Sequence, residues 1–174
     1  MYMKKLILTA TIFMSSLGLF AQKGYFGLGA SYSNQPGLLY NVEAGCQTSK
    51  TWYSVTGEFA NGNKGTYTVQ NKSITVPKMM LGIRTQREIR SFSERSNLYG
   101  FISVKGGRYV SSVDSITKVE TRDNFFQVEP GLSIVHKVNS HLSLQTSLST
   151  FFNNEFNITG NWPGKLGISM IYTK

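Results

Sequence analysis

Two histidines, His136 and His141, and one cysteine, Cys46, are the only imidazoles and the only thiol in 174 residues. Any zinc or thiolate chemistry would have to be built from them. The histidines flank a short polar segment, and Ser133 and Ser143 lie near them. That arrangement suits either a metal clip or a histidine-assisted hydrolase, yet no nucleophile elbow surrounds either serine. The two histidines are therefore read as turn residues. Cys46 sits on an apolar strand face, where it packs as a small hydrophobe, and a lone cysteine cannot form an intrachain disulfide. Gly27-Leu28-Gly29 and Gly106-Gly107 precede no helical pattern, so they make no phosphate cradle. No cofactor, metal or catalytic residue is assigned, no nucleic-acid-binding module is legible, and the chain is expected not to be an enzyme.

A different chemistry is open to the charged residues. Glu43, Glu58 and Glu129 alternate with small or apolar neighbours, as do Arg84, Lys105 and Lys165. If their shared face is enclosed, the three carboxylates must find partners among the three cations, because buried charges persist only when paired and hydrogen-bonded. These six residues are the candidate site, an ion-pair network inside a barrel.

The elements that would position them are strands. Eight runs alternate with period two, which puts successive side chains on opposite faces. Phe26, Leu28, Ala30 and Tyr32 oppose Tyr25, Gly27, Gly29 and Ser31, and Leu38, Tyr40, Val42, Ala44 and Cys46 oppose Asn41, Glu43, Gly45 and Gln47. The third run, 53–59, is followed by one at about 73–86 that changes phase at Pro77, the sign of a bulge. The fifth, 97–109, sets Leu98, Ile102 and Val104 against Tyr99, Phe101, Ser103 and Lys105. The sixth, 123–136, contains Pro130, where a further irregularity is expected. The last two are 142–150 and 165–172.

The polar positions are mostly Gly, Ser, Thr, Asn and Gln, with few of the long charged side chains that a soluble sandwich turns to water. Small residues fit the narrow interior of an eight-stranded barrel, whose lumen side chains fill. The connectors 61–72, 110–122 and 153–163 are long, whereas 48–51 and 137–141 are short, an alternation of external loops and periplasmic turns. The loop at Pro36 is short, and the stretch 87–97 is long and charged, with Arg87, Glu88, Arg90, Glu94 and Arg95. Tyr25, Tyr53, Phe59, Tyr99, Phe126, Phe152, Trp162 and Tyr172 lie near run ends, where interfacial girdles would place them. The expected fold is all-β, an eight-stranded antiparallel up-and-down β-barrel of the outer-membrane type.

The start of the chain agrees with export. Lys4 and Lys5 precede an apolar run from Leu6 to Phe20 that closes on Ala21, which is too short for a spanning helix and has the plan of a signal peptide. Residues 1–21 are therefore expected to be cleaved and 22–174 to form the barrel, in the outer membrane. The two signal lysines account for part of the net charge of +9 and leave the barrel at +7, a balance that favours acidic neighbours such as anionic headgroups.

The stretch from Trp52 through Glu58, Phe59, Tyr67, Ile74, Val76 and Pro77, then Leu98 to Gly107 with Tyr109, resembles the TraO family of conjugal transfer proteins of Bacteroidota. The closing Gly167-Ile168 strand is compatible with it. The resemblance implies an envelope component of a conjugative transposon's transfer machinery, partnered by outer-membrane lipid and other conjugation proteins, with no catalytic residues to carry over. Two other readings stay open: a free-standing barrel of the OmpX or OmpA-domain kind serving envelope integrity or adhesion, and a soluble, lipocalin-like periplasmic barrel that binds an apolar ligand. Oligomeric state and sequence-specific nucleic-acid contacts are not written in the chain.

Overall fold

A computed structural model describes residues 23–33, 37–60, 66–69, 72–75, 79–113, 120–153 and 164–174. Eleven strands run in chain order as β1 (Lys23–Ser33), β2 (Gly37–Gln47), β3 (Thr51–Ala60), β4 (Thr66–Val69), β5 (Lys72–Thr75), β6 (Met79–Ser91), β7 (Ser96–Val113), β8 (Glu120–Lys137), β9 (Leu142–Thr150), β10 (Phe152–Asn153) and β11 (Gly164–Thr173). Strands β1, β2, β3, β6, β7, β8, β9 and β11 pair antiparallel with their neighbours in order. Pairing of Tyr25 with Thr173 through Ser33 with Lys165 closes the sheet on itself. The result among the described residues is a closed, eight-stranded, up-and-down barrel, with β10 continuing β9 along β8. Closure leaves no open edge in the wall.

The short turns are set by local hydrogen bonds that side chains offer to the backbone. Asn139 Oδ1 accepts the amides of His141 at 2.9 Å and Leu142 at 2.8 Å. Ser93 Oγ accepts those of Arg95 at 3.2 Å and Ser96 at 3.1 Å. Thr48 Oγ1 donates to Thr51 O at 3.0 Å. Gly37, which opens β2, has φ +89°, a backbone conformation that costs glycine little and other residues more.

The alternation decides which face closes inward. Phe26, Leu28 and Tyr32 point out of the barrel while Tyr25, Ser31 and Ser33 are buried. The same holds around the wall, where Leu81, Ile83, Ile102, Leu132, Ile134, Leu148, Leu166, Ile168 and Met170 are exposed, and Ser54, Thr56, Ser103, Gln127, Ser133, Gln145 and Ser149 are enclosed. Small residues are required inside. A Cβ on Gly131 would fall 2.5 Å from Phe101 Cζ, 2.6 Å from Ser149 Cβ and 2.7 Å from Leu148 O. Since the last is backbone and cannot swing away, Gly131→Val is expected to lower stability by about 2 kcal/mol, the ordinary cost of overpacking, measured as a shift in urea midpoint in detergent.

Several boundaries differ from the sequence expectation. The run at 73–86 is two elements: Lys72–Thr75 pairs only with Thr66–Val69 in a separate hairpin, and the wall strand starts at Met79. The connector 61–72 therefore carries structure of its own. The charged stretch 87–97 is mostly strand, because β6 continues to Ser91 and β7 starts at Ser96, with a register shift between Glu88 and Arg90. Its turn is only 92–95. Pro130 sits in register opposite Ile102 on β7, but on its other side the ladder is interrupted as expected, ending at Gly131 opposite Ser149 and resuming at Val128 opposite Phe152 on β10; a further register shift lies between Val110 and Ser112. A proline is accommodated in the wall when its missing N–H falls where no ladder bond is needed. The connector 110–122 shortens correspondingly, since β7 runs to Val113 and β8 begins at Glu120. The segment 1–21, the loop at Pro36, the phase change at Pro77, Trp162 and the rest of the long connectors lie outside the described residues.

Candidate functional site

Four of the six candidate residues meet in the lumen. Glu58 on β3, Lys105 on β7, Glu129 on β8 and Lys165 on β11 come from four strands, of which only β7 and β8 are neighbours, and their side chains are 4–6% exposed. Lys105 Nζ donates to Glu58 Oε1 at 2.5 Å and also to Glu129 Oε2. Lys165 Nζ donates to Glu58 Oε1 and, at 3.2 Å, to Glu129 Oε2. Each ammonium thus lies between two carboxylates and each carboxylate between two ammoniums. The ring has two positive and two negative charges, so it is electrically balanced, which is the condition under which buried charges are tolerated. Ser149 Oγ donates to Glu129 Oε1 at 2.7 Å and occupies the far side of that carboxylate.

Glu43 and Arg84 enter the same lumen without joining the ring. Arg84 lays its guanidinium over the Phe101 ring, 3.8 Å from the centroid, a cation–π contact that a desolvated site strengthens. Glu43 is buried on β2. Together with members of the ring they line a cavity of about 30 Å³, room for roughly two water molecules. A second interior bond, Gln145 Nε2 to Gln86 Oε1 at 2.9 Å, joins β9 to β6 across the space.

The end of the lumen that holds Lys23 and Thr173 is closed by aromatic packing. Trp52 stands 4.8 Å from Tyr25 and 5.6 Å from Tyr99, centroid to centroid, in tilted and edge-on arrangements, and Val135 and Ile171 complete the cluster. Tyr25 and Tyr99 are thus corrected from girdle residues to plug residues. Their parity with Gly27 and Ser103 was the signal, since a residue two places from an inward side chain also points inward. Phe126, Phe152 and Tyr172 do lie on the outer surface. Leu39 and Met80, both enclosed, are interior apolar residues that the alternation of small polar types did not reveal.

Among the described residues the interior is filled by side chains. A cavity of about 30 Å³ behind an aromatic plug is a packed interior, as expected for eight staves. His136 Nδ1 is 2.8 Å from Ser96 Oγ, and His141 Nδ1 is 3.1 Å from Thr173 O. Both histidines are exposed, but only His141 lies in the turn, since His136 is a paired residue near the end of β8, and among the described residues no group of three or more His, Cys, Asp or Glu is placed to hold a metal ion. Cys46 is buried.

No family model matches the sequence, and no curated protein matches it. Solved structures do. The N-terminal β-barrel domain of Pseudomonas aeruginosa OprF superposes with a TM-score of 0.64 at 7% identity, over 88% of this chain and 98% of that one. Outer membrane protein H of P. aeruginosa gives 0.63 at 11% identity, over 87% and 99%. Neisserial surface protein A gives 0.56 at 10% identity, over 86% and 94%. At these identities the likeness is one of fold, and the fold shared is the small closed antiparallel β-barrel.

Proposed function

We propose that this chain is a non-catalytic outer-membrane barrel, exported through a signal peptide cleaved near Ala21, and that it serves as a structural component of a conjugative DNA-transfer apparatus. The observation that carries the membrane reading is the inside-out distribution of apolar and polar side chains on a closed wall. Leu148 is 63% exposed, Leu166 58% and Ile83 53%, while the interior holds a charged ring and rows of Ser and Gln. In water that pattern would leave an apolar surface around the barrel with nothing to cover it; in a bilayer it is what lipid requires, and wall strands of 9 to 18 residues are long enough to cross it. The barrel architecture of the three superposed proteins, one an outer membrane protein and one a surface protein, supports the same reading. A lipocalin-like binder needs the reverse arrangement, with the apolar face lining a cavity.

The closed lumen supports a structural role in place of transport, and the absence of assembled nucleophile, base or metal ligands among the described residues gives no support to catalysis. The link to conjugation rests on the TraO resemblance of the stretches from Trp52 to Pro77 and from Leu98 to Gly107 with Tyr109. Deleting the gene in a donor cell is expected to lower transfer frequency by at least about tenfold in a mating assay, with recovery when the chain is restored. Unchanged transfer accompanied by detergent sensitivity would transfer the assignment to a free-standing envelope barrel.

A further inference from the structure

We propose that the short-turn end of the barrel is a cationic collar that binds the anionic phosphate headgroups of the adjacent leaflet; the proposal rests on the membrane reading above. Seven basic side chains gather at that end, Lys23, Lys50, Arg87, Arg90, Arg95, Lys137 and Lys174, and all are exposed. The acidic side chains there among the described residues are Glu88 and Glu94. Glu88 accepts a hydrogen bond from Asn97 Nδ2 at 3.3 Å, and among the described residues none of the seven cations is in an ion pair. Seven cationic against two acidic side chains leave an excess of five positive charges, so the field at this rim is strongly positive.

The backbone distributes these charges around the rim. Glu88 N donates to Lys50 O at 2.9 Å, Lys137 N to Arg95 O at 2.7 Å, and Lys174 N to Gly24 O at 3.0 Å. Each bond ties a turn or terminus to a neighbouring strand, which sets Lys50 near Arg87, Arg95 near Lys137, and Lys23 near Lys174. Exposed apolar side chains are interleaved with them. Ile89, Phe92 and Val138 are each more than half exposed, and the Arg90 guanidinium lies 5.9 Å from the Phe92 ring centroid. Tyr172 stacks on His141 at 6.0 Å. A soluble polyanion would meet the charges but leave these apolar groups in water. A lipid leaflet satisfies both, because the apolar groups enter the acyl boundary while Lys and Arg extend to the phosphates.

The test refolds the full chain into phosphatidylcholine vesicles and into vesicles of phosphatidylcholine with one-quarter phosphatidylglycerol, and follows urea unfolding by tryptophan emission. The apparent folding equilibrium is expected to favour the anionic vesicles by at least about tenfold, given the attraction each cation near an anionic surface contributes. The preference should vanish in high salt and in the variant carrying Lys50→Gln, Arg87→Gln, Arg90→Gln and Lys137→Gln, which should still fold in neutral vesicles. Equal stability in the two lipids, or a preference that survives the four substitutions, overturns the collar. So does stabilisation in neutral vesicles by a single-stranded oligonucleotide exceeding that from phosphatidylglycerol, which would make nucleic acid the partner. Failure to fold in either lipid would instead strike at the barrel's membrane reading.

Discussion

Lys165→Met is expected to lower the unfolding free energy of the barrel by about 3–5 kcal/mol, the usual cost of stripping one partner from a buried ion pair. Removal of this ammonium leaves Glu58 and Glu129 sharing Lys105 alone, so a balanced ring becomes a buried site of net negative charge. The double variant Lys165→Met with Glu58→Gln restores neutrality and should recover a substantial part of the loss, a coupling that a double-mutant cycle measures directly. Replacing all four residues by Leu and Met should be far milder than the single change, because well-packed apolar groups often substitute for buried ion pairs without loss. Urea titration in detergent micelles gives these numbers. A loss below about 1 kcal/mol for Lys165→Met would mean that the ring is solvated and contributes as a surface pair does.

Ile168→Arg is the second large effect, and its size separates two environments. Ile168 lies near the middle of β11, 52% exposed on the outer face, in register with Ala30 and Thr146. In a bilayer, arginine at that depth should cost about 2–4 kcal/mol. In water, an exposed isoleucine can be exchanged for arginine within about 0.5 kcal/mol. Val138→Arg is the matched control. Val138 is 53% exposed on a turn, where a charge reaches headgroups or water and should cost no more than about 1 kcal/mol. Unfolding from phosphatidylcholine vesicles should therefore rank Ile168→Arg well below Val138→Arg and the unchanged chain.

The faces of the wall were legible because they depend on a local period. Phe26, Leu28 and Tyr32 against Gly27, Gly29 and Ser31 needs no knowledge of the partner strand, and the structure orients them as the alternation implies. Register is another matter, since it is fixed by pairing between distant segments. The sequence offered three acids and three bases for one lumen; the geometry brings together Glu58, Lys105, Glu129 and Lys165, and sends Arg84 to the Phe101 ring. A planar guanidinium suits an aromatic face better than an ammonium does, but only the register shows that Phe101 lies within reach of Arg84 and the carboxylates within reach of Lys165. The aromatic plug was obscured for a related reason, because Tyr25 and Tyr99 have the chemistry of an interface and the parity of the interior. Charge also misled at 87–97. Charged residues do not end a strand when backbone pairing continues, and β6 stays in register with β7 up to Glu88, then resumes at Arg90 after the shift.

The central claim is that the chain folds as a closed barrel in the outer membrane. Its most direct test is fractionation of cells expressing the full chain, with heated and unheated outer-membrane samples compared on a gel. Recovery in the outer-membrane fraction, with migration that changes on heating because the closed wall resists detergent until it is boiled, is the result the structure predicts. Recovery in the soluble periplasmic fraction, with the same migration before and after heating, would contradict it.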